Sequence, residues 1–154
     1  MLARIIFGMV KFAARKGLAG PADSSSPSGA RGRARQVGIR GETFAYWYLR
    51  RHGYIFIARN YTSPGLKGEI DLIGFDGPVL AFIEVKTRTS SSPQFGRPED
   101  AVDFEKRGHL MQMARRFLAD RRIREAQCRF DILAIECSPG LPPAVRLHKA
   151  AFGG

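Results

Sequence analysis

Apolar residues recur with two different periods along this chain, and together the two patterns predict an α/β fold. Helical spacing of apolar positions predicts one helix from Gln36 to His52, ending before Gly53, and a second from Pro98 to Asp120. Short apolar runs predict strands at residues 54–58, 70–75, 79–85, 130–135 and 145–147. We therefore expect one α/β domain with a mixed sheet of four to five strands flanked by helices.

The second and third predicted strands form a hairpin around Asp76-Gly77-Pro78, a typical turn sequence. Side chains in a strand alternate between faces, so Glu84 and Lys86 share one face. Because Pro78 cannot donate the hydrogen bond that closes a tight two-residue turn, we expect a four-residue loop that places residue 71 opposite residue 82. Asp71 would then lie on the same face as Glu84, diagonally across from it.

Two carboxylates that converge from adjacent strands repel each other unless a cation lies between them. Oxygen ligands without a nearby Cys or His suit Mg²⁺ or Mn²⁺, so Asp71 and Glu84 are predicted metal ligands, and the carbonyl of Val85 is a further candidate ligand. Lys86 would orient or help to deprotonate an attacking water, or neutralise charge that develops on a phosphate. This combination is typical of phosphodiester hydrolysis.

Glu84 and Lys86 also fit a simpler interpretation, an ion pair on a solvated strand face. The strand around them is almost entirely apolar, which indicates a buried central strand. Charged side chains are rare in such strands unless they have a partner or a function. Asp71 on the same face favours the functional interpretation, because clustered ionisable groups mark functional sites.

These residues resemble a known signature. Asp71 followed by Glu84-Val85-Lys86 is similar to the Asp…Glu-x-Lys motif of the PD-(D/E)XK nuclease superfamily, which includes restriction enzymes and archaeal Holliday-junction resolvases. Over residues 36–152, the chain more closely resembles the small bacterial YraN family of endonuclease-like proteins. The motifs that carry this resemblance are Gly41-Glu42-x-x-Ala45, Gly68-Glu69-Ile70-Asp71-Leu72-Ile73, Glu84-Val85-Lys86-Thr87-Arg88, Arg129-Phe130-Asp131 and His148-Lys149-Ala150-Ala151-Phe152.

The resemblance implies a restriction-endonuclease-like fold and further site residues. Glu42 would be the acidic residue that the first helix supplies, which binds a second metal or orients a water. Thr87 and Arg88, at the end of the motif strand, and Lys106, on the second helix, would contact the substrate. For Glu42 and Lys106, a solvated surface charge remains an open alternative. Asp131 is a rival acidic residue, but its neighbour Arg129 indicates a structural ion pair.

The chain is strongly basic, with a net charge of +11 and an isoelectric point near 10.5, which is typical of proteins that bind nucleic acid. Residues 1–35 contain seven basic residues and one acidic residue, so this segment carries +6 and the rest of the chain +5. Its part from 20 to 34 has the composition of a flexible linker. We expect a basic tail over 1–35 and a nuclease-like domain over 36–152.

Residues 2–18 mix apolar and basic positions in a short amphipathic pattern. A disordered tail, a start codon assigned too far upstream and a helix on a membrane surface all fit this pattern. Charges interrupt the apolar run, which argues against a signal peptide, and we expect no stable membrane insertion. Cys128 and Cys137 lack the paired spacing of a zinc site and fit a reducing compartment, so we expect a cytoplasmic protein.

The sequence thus predicts a metal-dependent endonuclease that acts on nucleic acid, with DNA and branched structures as the expected substrates. A non-catalytic module that binds nucleic acid or docks a partner is the alternative from another class. A purely structural ion cluster is a third interpretation. No Gly-rich phosphate loop or serine-nucleophile motif is present, and whether the protein forms a homodimer stays open.

Overall fold

The computed structural model describes residues 30–89 and 103–153, with side chains from Gly41 onward. In this part of the chain a five-stranded sheet has the order β1-β2-β3-β4-β5, and all neighbouring strands are antiparallel except β3 and β4, which are parallel. The predicted mixed α/β sheet is confirmed. The elements are helix α1 (Ala30–Arg51), β1 (Ile55–Tyr61), β2 (Ile70–Asp76), β3 (Val79–Thr89), helix α2 (Phe104–Asp120), β4 (Gln127–Cys137) and β5 (Ala144–Phe152).

Both helices differ from the prediction at their N-terminal ends. Helix α1 begins at Ala30, before the predicted Gln36, because the added residues are mostly alanine and arginine, which favour helix. Helix α2 begins at Phe104, where the side chain of Asp103 caps the helix by accepting a hydrogen bond of 2.7 Å from the Lys106 amide. The predicted start at Pro98 lies outside the described residues, and the predicted end at Asp120 is confirmed.

The hairpin between β2 and β3 has a two-residue turn, so the predicted four-residue loop is wrong. Asp76 pairs with Val79, and Gly77 has a φ of 59°. A turn with positive φ at its first central residue and negative φ at its second is a type II′ turn, and proline supplies the negative φ. Pro78 is tolerated because the residues that flank the turn, and not Pro78 itself, provide the ladder hydrogen bonds.

Each face of the sheet packs on one helix. Helix α1 covers a cluster that contains Leu72, Ile83 and Leu133, while α2 covers a cluster on the other face that contains Phe82 and Ile132. Alternate residues of β3 therefore enter different cores, which explains why this strand is apolar nearly throughout its first half.

Gly41 allows α1 to approach the sheet closely. A Cβ atom at this position would lie 2.9 Å from Thr87 Cβ and would overlap Thr87 Oγ1. A side chain larger than hydrogen would therefore push the helix away from β3. Because Glu42 is the next residue along the helix, this contact also determines how near Glu42 lies to the sheet.

A network of charged residues closes the hairpin end of the sheet. Arg129 Nε lies 2.9 Å from Asp131 Oδ1, and Arg129 also pairs with Asp76 and donates a hydrogen bond to the Tyr54 hydroxyl. Asp131 is fully buried and accepts a further hydrogen bond of 3.0 Å from the Ala150 amide. The predicted structural ion pair between Arg129 and Asp131 is confirmed.

Among the described helices, neither is both long and apolar enough to cross a membrane.

Candidate metal centre

Asp71 and Glu84 lie side by side on the face of the sheet that α2 covers. Leu72 pairs with Ile83 in the hairpin, and continuing this register places Asp71 directly opposite Glu84. The predicted shared face is therefore observed, but the register differs by two residues because the turn is shorter than expected. Both side chains are buried, with exposed fractions of 7% and 6%.

The surroundings of Asp71 oppose its negative charge. Its Oδ2 atom accepts a hydrogen bond of 2.7 Å from the Val85 amide, which stabilises the ionised form. Burial, and after it the charge of Glu84, outweigh this bond and raise the pKa of Asp71 to about 7. Glu42 and Glu69 raise the pKa further. A cation bound beside Asp71 would therefore stabilise the ionised form of this buried carboxyl.

Three carboxylates converge at this point from three segments. Oxygen atoms of Glu42, Glu69 and Asp71 all lie within 4.8 Å of one another. Helix α1 supplies Glu42, β2 supplies Asp71, and the residues just before β2 supply Glu69. Glu69 was not among the predicted site residues, although its spacing of two from Asp71 is the spacing that puts strand residues on one face.

The cluster fits a hard divalent cation. All its donors are carboxylate oxygens, the ligands that Mg²⁺ and Mn²⁺ prefer. Two oxygens on opposite sides of a Mg²⁺ ion with bonds near 2.1 Å are about 4.2 Å apart, close to the observed spread. Small side-chain rotations would therefore suffice to bring these oxygens around one ion.

Glu84 is compensated differently, by two lysines. Lys86 Nζ lies 2.8 Å from Glu84 Oε1, and Lys106 Nζ from α2 donates a hydrogen bond to the same oxygen. Burial lowers the pKa of Lys106, but the hydrogen bond and the charge of Glu84 raise it more, so the pKa lies above its ordinary value. Lys106, a predicted substrate contact, thus bridges α2 to the motif strand.

Glu69, Asp71, Glu84 and Lys106 line an open cleft of about 380 Å³. Of its described lining residues, five are carboxylates and two are lysines, so the lining is negative before any cation binds. The negative charge of the lining repels a polyanion such as nucleic acid. A bound cation that neutralises the lining would favour binding of nucleic acid in the cleft. The lining residues are Lys67, Gly68, Glu69, Asp71, Glu84, Asp103, Glu105, Lys106, His109, Leu110 and Met113.

The other predicted site residues fall on both faces of the sheet. Arg88 shares the face of Glu84 and Lys86 by strand alternation and is exposed. Thr87 lies on the opposite face, against Gly41 of α1. For Val85, the amide contacts Asp71, and its side chain packs against the core under α1.

The chain is similar to known proteins of one family. The family model described as "Uncharacterised protein family UPF0102" matches residues 41–135. The chain is 42% identical to a UPF0102 protein of Koribacter versatilis over 118 residues, covering 76% of this chain and 79% of the relative. It is 47% identical to one of Solibacter usitatus, over 73% of this chain and 82% of the relative. For one of Geobacter metallireducens the identity is 39%, over 75% and 92%.

Proposed function

We propose that this chain, which belongs to the UPF0102 family, is a metal-dependent endonuclease that hydrolyses phosphodiester bonds of nucleic acid. In this proposal it is a cytoplasmic member of the PD-(D/E)XK superfamily. DNA, including branched DNA, is the proposed substrate class.

One observation carries the proposal. The carboxylates of Glu42, Glu69 and Asp71 meet within 4.8 Å, and Glu69 and Asp71 line a cleft together with Glu84 and Lys106. Burial, then the charge of Glu84, and to a smaller extent Glu42 and Glu69 raise the pKa of Asp71, so an ionised carboxylate at this point is costly without a cation. Natural proteins keep such arrangements chiefly where a function requires them.

The site residues would have two kinds of role, metal binding and orientation of the attacking water. Asp71, Glu42 and Glu69 would hold Mg²⁺ or Mn²⁺, with Glu84 and the Val85 carbonyl as further ligands. A bound ion of this kind polarises a phosphoryl oxygen and makes a coordinated water more acidic. Lys86, whose ammonium group is held beside Glu84, would donate a hydrogen bond that orients that water and would stabilise the negative charge that develops on the phosphate.

Basic residues in the cleft and beyond it would hold the rest of the substrate. Lys106 would contact a phosphate next to the scissile bond, and Arg88 would extend the contact along the same face. At the far end of α2, Arg121 and Arg122 are exposed. They lie about 22 Å from Lys106 along the helix axis, which corresponds to about six nucleotide steps of a duplex strand. Thr87 packs on Gly41 and would therefore affect the site by setting the position of α1.

The test is a cleavage assay with Mg²⁺ or Mn²⁺ on labelled linear, nicked, flapped and four-way DNA, with RNA in parallel. Glu84→Ala should abolish cleavage while affinity in EDTA persists or rises, because a negative charge leaves the phosphate surface. Lys86→Ala should keep metal binding and lose most turnover. Arg146→Ala, on the exposed side of β5, is the matched control and should cleave like the wild type.

One observation favours a second candidate, a non-catalytic module that binds nucleic acid or a partner. Glu84 already has two ammonium partners, so its charge is compensated without a metal. In that case Glu84→Ala would leave Lys86 and Lys106 without their common partner and destabilise the fold by roughly 3 kcal/mol. Thermal melts with and without Mg²⁺ distinguish the two candidates. A wild type that cleaves none of the substrates and gains no stability from Mg²⁺ would favour the binding module.

A further inference from the structure

Asn60, near the end of β1, has an unusual backbone conformation. Its φ is 47°, in the left-handed region that side chains other than glycine seldom occupy. Asparagine tolerates this region better than most residues, but the conformation still costs free energy. Residues held in such conformations often lie at functional sites, so the contacts that Asn60 makes are informative.

The side chain of Asn60 contacts the carboxylate cluster. Its Nδ2 atom donates a hydrogen bond of 3.0 Å to Glu42 Oε2. An ionised carboxylate can only accept hydrogen bonds, so the amide must present its nitrogen. Because β1 is bonded to β2, this bond connects Glu42 of α1 to the strand pair that supplies Asp71.

An irregularity in β1 creates this arrangement. The pairing between β1 and β2 shifts register between Phe56 and Ala58, and Arg59 then pairs with Leu72 and Tyr61 with Ile70. Asn60 thus lies across from Asp71. Without the extra residue, Asn60 would lie across from Ile70 instead. Bulges of this kind often redirect a side chain beside a site.

We infer that Asn60 is a positioning residue, which orients the Glu42 carboxylate toward Glu69 and Asp71 so that the three groups can bind one divalent cation. The inference rests on the metal site of the proposed function and adds to it a residue that touches neither metal nor substrate. Hydrogen-bond partners of metal ligands set ligand orientation, and their loss commonly weakens metal binding by 10-fold or more.

A purely structural role for Asn60, tethering β1 to α1, makes a different prediction. Replacing Asn60 by glycine removes the amide and at the same time relieves the left-handed strain. A structural tether would show its loss as lower thermal stability with unchanged metal affinity. A positioning residue would show weaker metal binding with thermal stability unchanged or increased.

The experiment titrates the full chain with Mn²⁺ alone by isothermal titration calorimetry. Asn60→Gly should weaken Mn²⁺ binding about ten-fold. Ala150→Gly is the matched control, because Ala150 also has a left-handed φ, of 50°, and lies in β5, outside the carboxylate cluster. It should bind Mn²⁺ within about two-fold of the wild type. In a Glu42→Ala background, Asn60→Gly should cause no additional loss, since the amide acts through Glu42.

Asn60→Gly that binds Mn²⁺ within about two-fold of the wild type would overturn the inference, as would an equal loss with Glu42 removed. Should Asn60→Gly fail to fold, Asn60→Ala is titrated in the same two backgrounds, and the same comparison decides. A wild type that binds Mn²⁺ with the expected dependence on Asn60 but cleaves no substrate would leave the inference standing and refute the enzyme. A wild type that binds no Mn²⁺ would refute both.

Discussion

Replacing Asp71 by asparagine should stabilise the metal-free protein at alkaline pH. Asparagine has nearly the same shape and keeps an oxygen that can accept the hydrogen bond from the Val85 amide. The substitution removes the negative charge, which burial and then the charge of Glu84 make unfavourable. The substitution therefore isolates the electrostatic cost of the carboxylate from its packing.

The size and sign follow from the raised pKa. The ordinary pKa of 3.8 is raised to about 7 in the folded protein. Between these values the folded state binds a proton that the unfolded state has lost, so the contribution of Asp71 to stability falls as pH rises. Above pH 7 the loss reaches its full value, about 4 kcal/mol as an upper estimate. Asp71→Asn should recover most of it at pH 8.5 and only about 1 kcal/mol at pH 4.5.

The assay is urea denaturation in EDTA at both pH values, repeated with Mg²⁺ at pH 8.5. The free energy of unfolding of Asp71→Asn should exceed that of the wild type at pH 8.5 by a few kcal/mol. Mg²⁺ should stabilise the wild type and leave Asp71→Asn unchanged, because metal binding to the folded state adds stability only where its ligands remain.

Asp131→Asn provides a matched control with the opposite expectation. Asp131 is also buried, but Arg129 lies 2.9 Å from it, so removal of the charge should destabilise the protein by about 3 kcal/mol at both pH values. If Asp71→Asn destabilises the protein at pH 8.5 as Asp131→Asn does, then the Asp71 carboxylate is a stabilising partner and the electrostatic argument is refuted.

Three further predictions follow from the packing and the charges. Gly41→Ala should destabilise the protein by more than about 1 kcal/mol, and Thr87→Ala in the same chain should restore part of the loss, as measured by thermal melts. Hydrogen bonds from Lys149 and then Arg129 lower the pKa of Asp76 to about 2, so Lys149→Ala should destabilise the protein above about pH 4 and have progressively less effect as pH falls toward about 2; urea denaturation at about pH 5 and about pH 2 measures this. Deletion of residues 1–29, which leaves α1 whole, should keep the melting temperature while reducing non-specific nucleic-acid binding and its salt dependence.

The order of the elements and the face shared by the motif residues could be predicted from local patterns along the chain. Alternation along β3 placed Glu84 and Lys86 together, because neighbouring side chains of a strand point in opposite directions and residues two apart do not. The same rule applied to the hairpin brought Asp71 to this face for any turn of even length. Local chemistry was enough for these conclusions, since they depend only on residues close in sequence.

Which charged and polar side chains contact one another depends on the tertiary structure. Whether Glu84 would meet a metal or a lysine depended on α2, which brings Lys106 from 22 residues away onto the same oxygen. Thr87 lies against Gly41 because the absence of a side chain there lets α1 pack closely on β3, and its contact with substrate stays a prediction. The bulge in β1 and the left-handed Asn60 likewise bring an amide to Glu42 across 18 residues. Such contacts join distant segments, and they are chosen by how helices and strands fill space and not by the pattern within any one of them.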